Sequence, residues 1–79
     1  MRINRDTLIS IDEISKLSSL SKATINYYTN MGLLPIADKQ GNKRLYDKDE
    51  IGRRLEKIRE MRRNGYSLRL ICREFNSSP

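Results

Sequence analysis

Apolar residues recur at helical spacing near the start of the chain, directly after a residue pair suited to begin a helix. Ser10 and Glu13 have the spacing of a capping box, in which each side chain accepts a hydrogen bond from the other residue's backbone amide. Ile11, Ile14 and Leu17 follow at intervals of three residues. The pattern predicts a short amphipathic helix with these three apolar side chains on its inner face.

A second short helix is predicted immediately downstream. Ser21 is a suitable N-cap, the helix extends to about Asn30, and Gly32 follows where a left-handed residue often ends a helix. The side chains expected to face the core are Ala23, Ile25 and Tyr28. Two short helices joined by three or four residues have the shape of a helix-turn-helix.

A two-stranded hairpin is predicted after the second helix. Residues 33–36 are apolar and extended, because the residue before a proline avoids helical backbone, and residues 44–46 form a second extended piece. The intervening residues 37–43 are polar and contain Gly41 and Asn42, which favour a turn. We therefore expect a hairpin with a rather long loop.

Two further helices complete the predicted order. Asp47 and Glu50 have the spacing of a second capping box, which begins the longest helix, and this helix ends near Asn64, before Gly65. Ser67 is a suitable N-cap for the last helix. The core positions expected in these helices are Ile51, Leu55, Ile58, Leu68, Ile71, Cys72 and Phe75. The predicted fold is mainly α with a small β-hairpin, in the order helix-helix-hairpin-helix-helix.

The composition narrows the classes of function. The chain has 79 residues, which suits one small domain over residues 1–79. Sixteen Lys and Arg against ten Asp and Glu give a net charge of +6, which favours a polyanionic partner. With one cysteine and no histidine, we expect no intrachain disulfide, no zinc site and no common nucleophile–base pair. We therefore expect no enzyme activity, no cofactor, no membrane span and a reducing, cytoplasmic location.

The outer face of the second predicted helix carries polar groups of mixed chemistry. Lys22, Asn26, Tyr27 and Thr29 supply a cation, an amide, a phenol and a hydroxyl. Such groups suit phosphates and the base edges of a DNA major groove, which is wide enough to admit a helix. An ordinary solvated helix face is the alternative interpretation.

The predicted hairpin concentrates positive charge near its turn. Lys39, Lys43 and Arg44 cluster there, and because like charges repel, stability does not explain them. Arg44 and Tyr46 alternate with Leu45, so both are expected to point outward if Leu45 points into the core. A polyanion lying across the turn would explain the cluster. Protection of an exposed sheet edge against aggregation is the alternative.

The long helix is also basic, but its charges have structural explanations. Cations near a helix C-terminus are favoured by the dipole, and Glu56 and Glu60 lie within pairing distance along the helix. Arg53, Arg54 and Lys57 fall within an arc of roughly 100°. We expect one or two of these cations, Arg54 among them, to make a supporting phosphate contact.

These features together resemble the DNA-binding domain of MerR-family transcription regulators. The resemblance extends over roughly residues 9–75 and rests on three short motifs. The motifs are Tyr27-Tyr28 followed by Gly32-Leu33-Leu34, the triplet Arg44-Leu45-Tyr46, and Gly65-Tyr66-Ser67-Leu68. The resemblance implies a winged helix-turn-helix, with the helix-turn-helix at about 10–31, the wing at about 33–46 and supporting helices at about 48–75.

The resemblance also implies how the domain meets DNA. The second helix would enter the major groove, and the wing would lie on the phosphate backbone beside it. The residues expected to contact double-stranded DNA are Ser21, Lys22, Asn26, Tyr27, Tyr28, Lys39, Lys43, Arg44, Tyr46 and Arg54. Asn26 stands where the family usually has Arg, so an amide that can bind adenine replaces a charged contact.

Partners beyond DNA follow from the same resemblance. Family members act on RNA polymerase indirectly, by bending and undertwisting a promoter. They dimerise through a long helix after the DNA-binding domain, so a homodimer is expected only if such a helix follows in the full protein. Two other functions stay open on the sequence: a small architectural, excisionase-like DNA-binding protein in recombination, and a protein-interaction module on the same fold.

Overall fold

The computed structural model describes residues 7–76 and contains four helices and three short strands within them. In chain order these are β1 (Leu8–Ser10), α1 (Ile11–Ser18), α2 (Lys22–Asn30), β2 (Asp38–Gln40), β3 (Lys43–Asp47), α3 (Lys48–Arg63) and α4 (Leu68–Asn76). The strands form one antiparallel sheet in the order β1-β3-β2, and the hairpin of β2 and β3 is the wing. The predicted fold class is confirmed, with one strand more than expected.

The helix-turn-helix begins at the predicted caps. Ser10 and Glu13 form the reciprocal capping box, with both nitrogen–oxygen distances at 3.3 Å. α1 ends at Ser19, which adopts a left-handed backbone with φ 63°. Ser21 then caps α2 by accepting the Thr24 amide at 3.1 Å. These short-range bonds fix both ends of the turn that separates the two helices.

Leu17 does not join the inner face predicted for α1, because 66% of it is exposed. Each step of three residues turns a helix by about 300°, so a pattern with this spacing drifts by about 60° per step. Ile14 lies in the buried stripe and is 1% exposed. Leu17 has drifted to the margin, beside a shallow groove that also involves Ile51 and Leu55 of α3.

The sheet contains an edge strand that the sequence did not reveal. β3 pairs with β2 on one side and with β1 on the other, where Ile9 lies opposite Tyr46. β1 is only three residues long and carries no alternating pattern of its own. It is a strand because it pairs with β3, which lies far along the chain.

The wing begins later and turns more tightly than predicted. Residues 33–36 are not a strand; their two leucines are buried in the connection after α2, and β2 starts at Asp38. The loop shrinks to Gly41 and Asn42, and Gly41 has φ 60°, which suits the first position of a type II′ turn. β2 has no buried residue, so hydrophobic patterning could not indicate it.

One hydrophobic cluster draws side chains from both ends of the described chain. Its buried members are Ile9, Ile14, Ile25, Leu33, Leu34, Tyr46, Ile51, Ile58 and Ile71. The inner faces predicted for α3 and α4 are confirmed, since the remaining predicted residues pack against this cluster: Leu55, Leu68, Cys72 and Phe75. The Ser67 cap is also present, with the Leu70 amide 3.2 Å from the serine hydroxyl.

The cap of α3 differs in one respect from the predicted capping box. Asp47 accepts hydrogen bonds from the backbone amides of Asp49 at 2.9 Å and Glu50 at 3.3 Å. Glu50 does not return the bond, because its carboxylate binds Arg53 and Arg54 instead. Asp47 is therefore the side chain that holds the start of the longest helix.

We expect Asp47→Ala to lower the free energy of unfolding by about 0.5–2 kcal/mol, because two backbone amides lose their acceptor. Urea denaturation followed by circular dichroism measures the change. Asp47→Asn is the matched control, since it keeps a side-chain acceptor and should lose clearly less. Equal losses in the two variants would contradict a capping role for the carboxylate.

Candidate nucleic-acid interface

The exposed face of α2 is a continuous strip. Its exposed residues follow the spacing i, i+1, i+4, i+5, i+8 of one helix face: Lys22, Ala23, Asn26, Tyr27 and Asn30. Ile25 lies on the opposite side and is completely buried, which fixes the rotation of the helix. Lys22, Asn26 and Tyr27 therefore face outward as the sequence predicted.

Ala23 lies on this exposed strip and not in the core, so its predicted position is wrong. A small apolar side chain is ambiguous in a sequence, because it costs little in either environment. Its spacing of four residues from Tyr27 was the signal that could have placed it outside. Ala23 therefore places a small apolar side chain between polar neighbours on the exposed strip of α2.

The two adjacent tyrosines divide between solvent and core. Tyr27 is 54% exposed, whereas Tyr28 is half-buried and packs against the hydrophobic cluster. Their ring centroids lie 6.4 Å apart with planes tilted by 41°, within the range of a favourable aromatic pair. Tyr27 thus presents its phenol to solvent, while the neighbouring Tyr28 packs against the core.

The Ser21 hydroxyl is already engaged by its own helix. It accepts the Thr24 amide at 3.1 Å and donates to the Thr24 hydroxyl at 2.9 Å. A serine hydroxyl has a single hydrogen, so none is left to donate to a phosphate in this arrangement. The structure accounts for Ser21 as a cap.

Asp12 lies near the candidate interface, and its position there is not indicated by the sequence pattern. Its Oδ1 lies 2.5 Å from Lys22 Nζ, so this carboxylate joins the starts of α1 and α2. The hydrogen bond from Lys22, with smaller contributions from the charges of Lys43 and Lys16, lowers the pKa of Asp12. Both groups of the pair are exposed, so it adds little stability. Its consequence is electrostatic, because a bound phosphate would compete with Asp12 for these cations.

The wing holds two cations directly opposite each other. Lys39 is the cross-strand partner of Arg44, just as Gln40 is the partner of Lys43. Directly opposed residues have Cβ atoms about 4.5–5.5 Å apart, and like charges at that distance are destabilising. Within residues 7–76 neither Lys39 nor Arg44 forms an ion pair. Lys39 and Arg44 therefore concentrate positive charge on one face of the wing without an ion-pair partner among these residues.

Tyr46 was predicted to point outward beside Arg44, and this orientation is wrong. Its side chain is completely buried, and its hydroxyl lies 2.9 Å from that of Thr29. Thr29, which was also expected on an outer face, turns inward and bonds the Ile25 carbonyl at 2.8 Å. The cause is β1, which makes β3 a central strand with one face on the core. The Tyr46 phenol is therefore not available to a phosphate.

Arg54 is held by three neighbours. Its Nε lies 2.8 Å from Glu50 Oε2, its Nη1 lies 3.2 Å from the Leu33 carbonyl oxygen, and its guanidinium lies 5.5 Å from the centre of the Phe75 ring. These contacts tie α3 to the connection after α2 and to α4. They give Arg54 a structural role, and its phosphate contact stays a prediction.

Residues 7–76 contain no group of three or more His, Cys, Asp or Glu placed to hold a metal ion. None of their helices is both long and apolar enough to cross a membrane. The half-buried Cys72 thiol donates to the Met31 carbonyl at 3.1 Å.

A helix with exposed donors, a basic hairpin beside it and a small helical support define a winged helix-turn-helix DNA-binding domain. A family model described as "MerR HTH family regulatory protein" matches residues 9–77. The chain belongs to this family of helix-turn-helix regulators, whose members bind double-stranded DNA. The match supports a DNA-binding domain of the kind found in transcription regulators.

A known relative points the same way over part of the chain. The HTH-type transcriptional regulator CueR of Bacillus subtilis (strain 168) is 42% identical over 43 residues. That match covers 54% of this chain but only 30% of the relative. No solved structure gives a significant match. The match therefore spans less than a third of that regulator's length.

We expect Arg54→Met to lower the free energy of unfolding by roughly 1–3 kcal/mol, because it removes a charge-assisted bond and the bond to the Leu33 carbonyl. Methionine keeps a long, flexible apolar stem in the same space. Arg53→Met is the matched control, since Arg53 also pairs with Glu50 but its side chain is 68% exposed. The control should change the free energy by less than about 0.5 kcal/mol. Equal losses, measured by urea denaturation, would contradict an anchoring role for Arg54.

The same variant should change how stability depends on pH. Hydrogen bonds from Arg54, and then from Arg53, lower the pKa of Glu50 below its usual 4.5 although burial opposes them. A carboxyl with a lowered folded-state pKa contributes stability that is complete above its unfolded pKa and is lost as the pH falls through its folded pKa. The advantage of the wild type over Arg54→Met should therefore shrink as the pH falls below about 4.5. An advantage that is constant from neutral to strongly acidic pH would refute this.

Proposed function

We propose that the chain binds double-stranded DNA sequence-specifically, with α2 in the major groove and the wing on the phosphate backbone. The observation that carries this proposal is the opposed Lys39–Arg44 pair, because it costs stability unless an anion lies across it. The exposed strip of α2 supports the other half. A helix of about 10–12 Å diameter matches a groove about 12 Å wide.

The strip on α2 has suitable groups for reading bases. Asn26 is an exposed amide, and an Asn side chain can bind N6 and N7 of adenine at once. Ala23 is suited to a thymine methyl group, which prefers a small apolar contact. Lys22 and Tyr27 can donate to phosphates at the edges of the groove. We therefore assign base reading to Asn26 and Ala23, and positioning on the backbone to Lys22 and Tyr27.

The wing contributes phosphate contacts through Lys39, Lys43 and Arg44. Such contacts carry no base sequence information but set the register of the protein on the duplex. Arg54 is assigned at most a supporting contact, since its guanidinium is already bonded to protein groups. Ser21 and Tyr28 act by holding the exposed strip in place.

The activity of the complete regulator is a further part of the proposal. Resemblance to the family supports binding as a homodimer to inverted repeats, with distortion of a promoter that helps RNA polymerase engage it. Dimerisation requires a further helix in the full protein, so residues 1–79 alone should bind a half-site weakly. A chromosomal DNA partner implies a cytoplasmic location.

We expect Arg44→Ala to weaken binding to all DNA sequences alike, because it removes a phosphate contact. The slope of log affinity against log salt concentration should become shallower by about one unit. Fluorescence anisotropy with a short duplex at several salt concentrations measures both quantities. Arg73→Ala is the matched control, since it removes an exposed arginine from α4 and should change the slope less. A slope unchanged by Arg44→Ala would remove the wing from the interface, and a wild-type complex insensitive to salt would argue against DNA altogether.

We expect Asn26→Ala to change sequence preference more than overall affinity, because it removes a base contact. Selection of bound duplexes from a random pool, with the wild type and the variant in parallel, measures the change. Loss of one preferred adenine position is the expected outcome, at about 1–3 kcal/mol of discrimination. Asn64→Ala removes an exposed amide at the end of α3 and should leave the preference intact. A uniform loss of affinity for every duplex would show that Asn26 does not read a base.

A further inference from the structure

Tyr46 joins the wing to α2 through a directed chain of hydrogen bonds. The Thr29 hydroxyl lies 2.8 Å from the Ile25 carbonyl oxygen and 2.9 Å from the Tyr46 hydroxyl. A threonine hydroxyl has one hydrogen and a carbonyl can only accept, so that hydrogen points to Ile25. The Tyr46 hydroxyl is therefore the donor to Thr29. The chain of bonds runs from the central strand into the backbone of α2.

This bond lies close to both parts of the proposed interface. Arg44 precedes Tyr46 by two residues, so it shares the same face of the sheet about 7 Å away along the strand. Lys39 lies directly across from Arg44. Asn26 precedes Thr29 by three residues, about 4.5 Å along the helix axis. A short piece of β3 thus connects the Tyr46–Thr29 bond to the Lys39–Arg44 pair, and a short piece of α2 connects it to the exposed strip.

We propose that the Tyr46–Thr29 bond is a positioning element that sets the placement of the wing cations relative to α2, so that both engage one duplex together. Neither residue touches DNA, because Tyr46 is completely buried and Thr29 faces inward. Base contacts and phosphate contacts have to be made at the same time on a stiff duplex. A wing that tilts about its base gives up its phosphate contacts while α2 stays in the groove. The inference rests on the proposed function, since it concerns how two parts of that interface act as one.

A packing role alone does not require the hydroxyl. A phenylalanine ring fills the space of the tyrosine ring, and the Thr29 hydroxyl keeps its bond to the Ile25 carbonyl. Loss of the phenolic oxygen should therefore change the melting temperature little. Weaker DNA binding at nearly unchanged stability is the result that distinguishes positioning from packing.

The test compares the wild-type chain with Tyr46→Phe, Thr29→Val and the double variant in binding a short mixed-sequence duplex. Fluorescence anisotropy at several salt concentrations gives the affinity and the salt slope. We expect each single variant to bind about 3- to 10-fold more weakly at low salt. The salt slope should become shallower by about one unit, because a wing phosphate contact is lost. The double variant should be no weaker than either single variant, since both remove the same bond.

Thr29→Ser is the matched control, because it keeps the hydroxyl and should bind DNA as the wild type does. Thermal melting of each variant supplies the structural readout, and if Tyr46→Phe fails to fold, Thr29→Val and Thr29→Ser decide. Wild-type affinity and slope in Thr29→Val, or additive losses in the double variant, would overturn the inference. Arg44→Ala separates the two proposals. If it flattens the slope and Thr29→Val does not, only the positioning role fails; if Arg44→Ala also leaves the slope unchanged, the proposed wing contact itself fails.

Discussion

Pairing of the central strand β3 on both of its edges is the constraint on which the rest of the structure depends. β1 leads directly into α1, and β3 leads directly into α3, so this five-residue strand anchors the helix-turn-helix, the wing and the supporting helices at once. Its Tyr46 side chain is completely buried in the shared core. A domain this small has few core residues, so one shared anchor holds three parts in register with few contacts.

Charge in the domain is arranged in two different ways. The helix dipoles of α1 and α3 stabilise the acidic side chains at their starts. These acids also form ion pairs, Asp12 with Lys22 and Glu50 with Arg53. At the wing, Lys39 and Arg44 face each other without such compensation in the described chain. The net charge of +6 favours an anionic partner, and this uneven compensation supports our proposal that the wing meets the phosphate backbone.

The helices could be predicted from local signals, whereas two of the strands could not. The caps at Ser10, Ser21, Asp47 and Ser67 join residues two or three positions apart, so they depend little on the rest of the fold. β1 and β2 are three residues each, and one of them has no buried side chain. Such segments become strands because β3 pairs with them, and that pairing is set by tertiary contacts.

The chemistry of the candidate site came from the sequence, but the direction of its side chains did not. Because side chains alternate between the two faces of a strand, the sequence showed that Arg44 and Tyr46 share a face. It did not show that this face covers the core. Helical spacing likewise left Ala23 and Thr29 ambiguous, because both are small enough to lie on either side. The sequence by itself determined the helices, their caps and the sign of the charge, since these depend on neighbouring residues. Tertiary structure decided which face of β3 and which small side chains of α2 are buried, because that burial depends on elements that are distant in the chain.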